Sequence, residues 1–226
     1  MRRAKQAIAK RRLFVSREPL FIREELVKRL LERARLDDDM VEGMLYLAAY
    51  IFLLRVPSEA LPMCRESGGM AAHGQAGNSC IRRVGDEVVL NLRTRKNRRQ
   101  GSTLTRRCWC SKSVETCPLH VLWPFFEGLP EGSQPFRALR MESVLMRLRL
   151  RLRALNVENA NDYRTHDFRR GHARDLQASG ASLLEILQAG EWRSPAFLRY
   201  LDNKELEKDV VIQAHFAESS GSEEER

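Results

Sequence analysis

The sequence predicts a mainly α-helical protein carrying a small antiparallel β-meander, an α+β fold. Three observations predict it. Apolar residues recur at helical spacing in two long segments, 23–36 and 142–155. Strand-like runs punctuated by turn residues fill one stretch, residues 79–110. Helix-start signals then cluster between Thr165 and Pro195.

Taken in order, residues 1–20 form a basic arm opening MRRAKQAIAKRR. This arm is Arg-rich and acid-poor like a transit peptide, yet lacks the serine enrichment, so it reads as a phosphate-touching arm, a nuclear import signal or a solvated tail. In REELVKRLLERARL, Leu26, Leu30 and Ala34 share a helix face with Val27 and Leu31 beside them. Asp37 to Asp39 offer N-caps for a second helix ending near Arg55. That helix contains the longest apolar run, MLYLAAYIFLL, which is too short to span a bilayer and reads as buried. ESGGMAAHGQAGNS, rich in glycine and small residues, is a loop.

SCIRRV, the turn Gly85-Asp86 and EVVLNLRT then make a hairpin, with TLTRRCWC as a third strand after the turn RKNRRQGS. From Arg93 to Arg107 there are seven Lys/Arg and no acid. ESVLMRLRLRLRAL alternates like a strand in its middle, but Leu145, Leu148, Leu152 and Leu155 step as a helical seam, so helix is expected. Thr165 is placed to cap a helix ending near Gly180. Ser182 and Glu185 spell a capping box for the next, and Ser194-Pro195 starts a last short helix with Phe197, Leu198, Tyr200 and Leu201. The folded domain is expected over 21–208, followed by an acidic tail, 209–226, of disordered composition.

The chain has 226 residues, 43% of them hydrophobic, enough for one large or two small domains with a core. The net charge of +9 favours a polyanionic partner, nucleic acid or an anionic membrane, although composition fits a merely basic soluble protein equally well. Five cysteines, an odd number, argue against a secreted disulfide framework and for an intracellular setting, nuclear if the source is eukaryotic.

The densest chemistry lies in THDFRRGHARDL. His166 and Arg169 are three apart and share a helix face, with Arg170 close by. A guanidinium beside an imidazole suits a phosphodiester: the fork holds two oxygens while the ring moves a proton. Taken alone, a solvated charged helix is the commoner explanation of such a stretch. Arg55 closes an apolar helix and needs a partner, either Glu59 or an anion. Lys96 tips the charged turn, where its ammonium has reach. Trp192, in AGEWRS, offers a donor N–H or fills the core. Tyr200 follows beside Arg199, in a setting where most tyrosines only pack.

The order of these residues in LLRVPSE, RTRKNRRQGS, HDFRRGHA and AGEWRSPAFLRYL resembles the catalytic domain of the tyrosine recombinase (phage-integrase-like) family, over about residues 22–205. The spelling is closest to the Crypton-like, transposon-type eukaryotic members. Pro57 lengthens the usual Arg-x-Ser-Glu step, Trp192 stands where a histidine is common, and only the basic arm precedes the catalytic part. The resemblance implies a tyrosine recombinase catalytic-domain-like fold and a DNA breaking-rejoining enzyme of site-specific recombination or DNA integration. Tyr200 would attack a phosphate, giving a 3′-phosphotyrosyl link and a free 5′-hydroxyl. Arg55 and Arg169 would hold the non-bridging oxygens and Lys96 would protonate the leaving oxygen. His166 would assist proton transfer, and Trp192 would bond the phosphate or support Tyr200. No cofactor is called for, since two guanidiniums and an ammonium supply the positive charge. The resemblance implies double-stranded DNA as the partner, with the protein oligomeric upon it and no membrane involved. Arg93, Arg95, Arg98, Arg99 and Arg170 are the expected DNA contacts.

Three alternatives stand beside this one. Tyr163 is a competing nucleophile. A non-catalytic DNA binder, either a degenerate recombinase or a helix-turn-helix protein using 166–178 and 183–189, is the second, although LLEILQA is ill suited to read bases. The third is an interaction module around Cys108, Cys110, Cys117 and His120. Their Cys-x-Cys-x6-Cys-x2-His spacing fits a structural zinc staple with an unusually short first gap, while reduced core cysteines at a strand end are the commoner explanation.

Overall fold

A computed structural model describes residues 18–66, 79–93, 95, 101–192, 198 and 200–202. Residues 1–17, the heart of the Gly-rich loop, most of the charged turn, the start of the last helix and the acidic tail lie outside the described residues. The fold is α+β, and the sheet is mixed rather than purely antiparallel.

Helix α1, Glu24–Leu36, buries Val27, Leu30, Leu31 and Ala34, the stripe its spacing dictates. Asp39 caps α2, Met40–Ile51, by accepting the Glu42 N–H. Almost every α2 residue is buried, which makes it the central rod of the core, packed on α1 and on the later helix Asp167–Ala178. It stops four residues short of the expected Arg55. Leu53 takes a left-handed φ of 51°, which turns the chain out of the helix.

Next comes a π-helical turn, Val56–Ala60, closed by Leu61 N–H donating to the Val56 carbonyl at 2.9 Å. Arg55 and Glu59 are thus separated by one wide turn that contains Pro57.

The sheet runs β1 (Met63–Arg65), β2 (Ser79–Val84), β3 (Glu87–Leu92) and β4 (Ser102–Arg107), in that order. The three-strand meander is present, with Val84 opposite Glu87 across the Gly85-Asp86 turn. The sequence reading missed β1, which pairs parallel to β2 with Cys64 opposite Cys80. Three residues carry too little alternation to register as a strand.

A second π-helical turn, Pro118–Leu122, runs into α3, Trp123–Glu127. The ambiguous Arg/Leu repeat is helical, α4 over Met141–Ala154, burying Val144, Leu148, Arg151 and Leu152. Arg151 is buried because acids await it: Asp39 at 2.8 Å, Glu42 at 3.0 Å and Asp37 at 3.1 Å. Helix α5, Asp167–Ala178, and α6, Leu183–Gly190, complete the described core. α6 starts with the expected Ser182–Glu185 capping box. The start of α5 differs from expectation: His166 holds the N-cap position without capping through its side chain. Asp167 turns back to accept the Arg164 N–H at 2.8 Å.

α5 sits close against the chain entering α1. Ile22 N–H donates to the Asp167 carbonyl at 3.0 Å. A Cβ on Gly171 would lie 1.8 Å from the Ile22 carbonyl oxygen, so only glycine permits this approach. No helix among the described residues is long and apolar enough to cross a membrane.

Candidate active site

The ionisable groups of α5 divide by face. Asp175 looks toward the core, accepting from Arg23 Nε at 2.6 Å, the Glu24 N–H at 2.8 Å and the Tyr50 hydroxyl at 2.8 Å. His172 is buried against the Tyr50 ring, centroids 4.5 Å apart. The other face carries His166, Arg169 and Arg170, and Tyr200 meets it there.

His166 Nε2 lies 2.9 Å from the Tyr200 hydroxyl. Because the imidazole does not cap its own helix, this nitrogen is free to face the phenol. The Arg170 guanidinium stands 5.4 Å from the Tyr200 ring centre and bonds Asp167 at 2.8 Å. Tyr200 and Trp192 belong to a small second core with Leu53, Ala173, Ile186 and Leu201, which fixes the last stretch against α5 and α6.

Arg169 is 2% exposed. Its two terminal nitrogens donate to the Leu53 carbonyl at 2.5 Å and the Gly190 carbonyl at 2.7 Å, and its guanidinium lies 4.6 Å above the Trp192 ring. Neutral carbonyls hold the fork in place and leave its charge uncancelled. A Cβ on Gly190 would fall 2.2 Å from the Trp192 ring, so this glycine lets the indole lie flat beneath the arginine.

Arg55 pairs with Glu59 at 2.9 Å, and Glu59 is 1% exposed. The same carboxylate meets Arg95 Nε at 3.3 Å, and Arg95 reaches on to Glu191 at 2.5 Å. Two arginines are thus held side by side by one buried acid, with Glu191 behind. Arg95, read from sequence as a DNA contact, is buried in this ion network. Arg93 is half-buried at the end of β3. Lys96, Arg98 and Arg99 lie outside the described residues.

The groups feel one another. Burial, then the charges of Arg170, Arg169 and Arg55, push the His166 imidazole down to about 4. Burial, then the neighbouring charges of Arg95 and Arg55, push the Arg169 guanidinium down to about 9, against the opposing pull of Glu59 and Tyr200. At neutral pH His166 is therefore a neutral ring that can accept a proton.

Arg55, His166, Arg169, Arg170, Trp192 and Tyr200 are thus brought into one neighbourhood by α5, the turn after α2 and the segment after α6. Tyr163, the competing nucleophile, is buried before α5, and burial and then Asp167 raise its phenol. Sequence reasoning missed Glu191 and the inward role of Arg95. The acid beside Trp192 in GEW was the available signal, but nothing in the letters links it to residue 95.

Elsewhere, Cys108, Cys110, Cys117 and His120 place their ligand atoms within 4.8 Å of one another, a group that could hold a metal ion. No protein-family model matches the sequence, and comparison with curated proteins gives no match.

Proposed function

We propose that this chain breaks and rejoins DNA strands through Tyr200, in the manner of the tyrosine recombinases it resembles. The observation that carries the reading is the Tyr200 hydroxyl 2.9 Å from His166 Nε2 on a helix face crowded with guanidiniums.

The chemistry follows from the charges. A phosphodiester entering beside Arg55 and Arg169 would meet their two positive charges and the N–H groups that their bonds to Glu59 and to the Leu53 and Gly190 carbonyls leave over. Its negative charge relieves the repulsion that depresses His166, so the ring becomes a better base as substrate binds. Tyr200 then attacks phosphorus, and its proton passes to His166 Nε2. The P–O5′ bond breaks, and the 5′-oxygen leaves with a proton that the resemblance assigns to Lys96. The arginines offset the charge that builds on the phosphoryl oxygens. The phosphotyrosyl ester keeps the bond energy, so a 5′-hydroxyl can reverse the step and join a new strand. Exchange between two duplexes calls for several copies of the chain on double-stranded DNA.

The helix-turn-helix alternative gains no support from the exposed start of α6, which presents Leu183 and Leu184 rather than groups that read base edges. The test is incubation with nicked suicide DNA substrates, which trap the covalent step. A protein–DNA adduct resistant to denaturant is expected, and Tyr200→Phe should lose it while still binding DNA. Adducts that survive the substitution overturn the reading.

A further inference from the structure

One cluster of nucleophilic side chains plays no part in the strand-transfer chemistry. Cys108 and Cys110 follow the end of β4, while Cys117 and His120 sit at the start of the second π-helical turn. His120 Nδ1 lies 3.5 Å from Cys108 Sγ, 3.1 Å from Cys110 Sγ and 3.4 Å from Cys117 Sγ. Cys108 and Cys117 Sγ are 3.7 Å apart. A tetrahedron around zinc, with bonds of about 2.3 Å to sulfur and about 2.0 Å to nitrogen, has edges of about 3.8 Å between sulfurs and about 3.5 Å from sulfur to nitrogen. The observed separations are close to those edges.

Hydrogen bonding alone accounts poorly for this arrangement. Three thiols converge on one ring nitrogen, and a single lone pair accepts only one S–H. A cation at the centre satisfies all four groups at once, with the thiols as thiolates. The Cys110 N–H points at Cys108 Sγ, 3.5 Å away, the kind of donor that steadies a metal-bound thiolate. The other close thiol pair, Cys64 and Cys80 at 3.0 Å, belongs to no such group of three or more ligands among the described residues.

We propose that Cys108, Cys110, Cys117 and His120 form a closed structural zinc site that staples the end of β4 to the helical layer. Four protein ligands leave no open position, so the ion holds structure and does not activate water. The staple also braces α5. Trp109, between two of the ligands, places its ring 5.9 Å from the His172 ring on α5, the helix that carries His166, Arg169 and Arg170. Zinc binding, through that contact, stabilises the helix from the side away from Tyr200.

The experiment needs no DNA, so its outcome is independent of the strand-transfer reading. The full chain, purified with zinc and freed of excess metal, is analysed for metal content, then exchanged with cobalt. One zinc per chain is expected, and cobalt should give the intense visible absorption and thiolate charge-transfer band of four-coordinate, sulfur-rich sites. Removing zinc with a chelator should lower the melting temperature. Cys110→Ser and His120→Ala should each lose the cobalt bands, while Cys64→Ala/Cys80→Ala keeps them. A wild-type chain that retains no zinc overturns the proposal, as does a weak six-coordinate cobalt spectrum. Bands that disappear with Cys64 and Cys80 but persist without His120 also overturn it. The wild-type stoichiometry and spectrum decide the matter even if a ligand variant does not fold.

Discussion

The Tyr200 hydroxyl and His166 Nε2 stand 2.9 Å apart across 34 residues of sequence. The imidazole in that pair is held neutral by burial and then by the positive charges of Arg170, Arg169 and Arg55. This has a measurable consequence in the absence of substrate. Unfolded, the ring takes up its proton near 6.5; folded, it does so only near 4. Between these values the unfolded chain binds more protons, so stability rises with pH across the window. His166 contributes fully above about 6.5 and loses its contribution as pH falls through about 4. His172, buried and pushed down to about 3, extends the same slope to lower pH. We predict that His166→Asn flattens the pH dependence of the unfolding free energy, measured by denaturant titration between pH 4 and 6.5, by on the order of 2 kcal/mol across that window. An unchanged slope removes His166 from this account.

Arg169 holds its place through a fork on two carbonyls and a stacked indole. Lysine keeps the charge but offers neither the plane nor the fork. Arg169→Lys is predicted to lower adduct formation by roughly a hundredfold or more, with a much smaller change in DNA affinity. Equal losses in both would mean that the residue only binds.

Gly190 and Gly171 separate the site from its scaffold. Gly190→Ala drives a methyl into the Trp192 ring and should tilt the indole away from Arg169. Adduct formation then falls more than stability does. Gly171→Ala drives the methyl into the Ile22 carbonyl and parts α5 from the chain leading into α1. Its cost should be global, about 2 kcal/mol or more in denaturant unfolding. Comparing thermal melts with adduct yields for the two variants tests the separation, and matching losses in both would count against it.

Arg151 lies beneath the surface among Asp37, Asp39 and Glu42, and Glu42 is fully buried with the Tyr46 hydroxyl on it at 2.8 Å. Arg151→Ala leaves that carboxylate with Arg147, 2.5 Å away, as its remaining charge partner, and should destabilise the chain by about 2 kcal/mol. Glu42→Gln in the same chain should recover part of the loss. A double variant no better than the single one would show that packing around the arginine stem, not charge, sets the cost.

On the proposed function, DNA binding should weaken steeply with salt, since basic side chains would supply the contacts. Titration at several salt concentrations gives the slope. Affinity insensitive to salt would contradict phosphate contact.

Much of the scaffold was legible because it rests on local rules. The leucine seam won over the Arg/Leu alternation of 142–155 because a helix could bury Val144, Leu148 and Leu152 on one side. The hairpin around Gly85-Asp86 and the Ser182 cap were readable for the same reason: the signal and the contact lie within a few residues. What escaped was non-local. β1 gains its partner from a strand fourteen residues further on, through a pairing no periodicity announces. Arg95 looked like one more cation in a basic turn, and only folding brings it to Glu59 and Glu191. Arg55 was legible up to a choice between acid and anion, and the resting structure has the acid. Lys96, next to Arg95 in the sequence, lies outside the described residues, so the leaving-group proton rests on resemblance alone.

The wide π-helical turn at Val56–Ala60 carries a lesson about insertions. Against the recombinase spelling that the sequence resembles, Pro57 is one extra letter between an arginine and its acid, and Arg55 and Glu59 touch at 2.9 Å. A backbone that swells locally can take in a residue without passing the shift down the chain. Any pattern that counts letters at fixed intervals scores such a place as a mismatch, although the spatial partnership is intact. Adjacency in space, rather than distance along the polymer, is what this segment preserves.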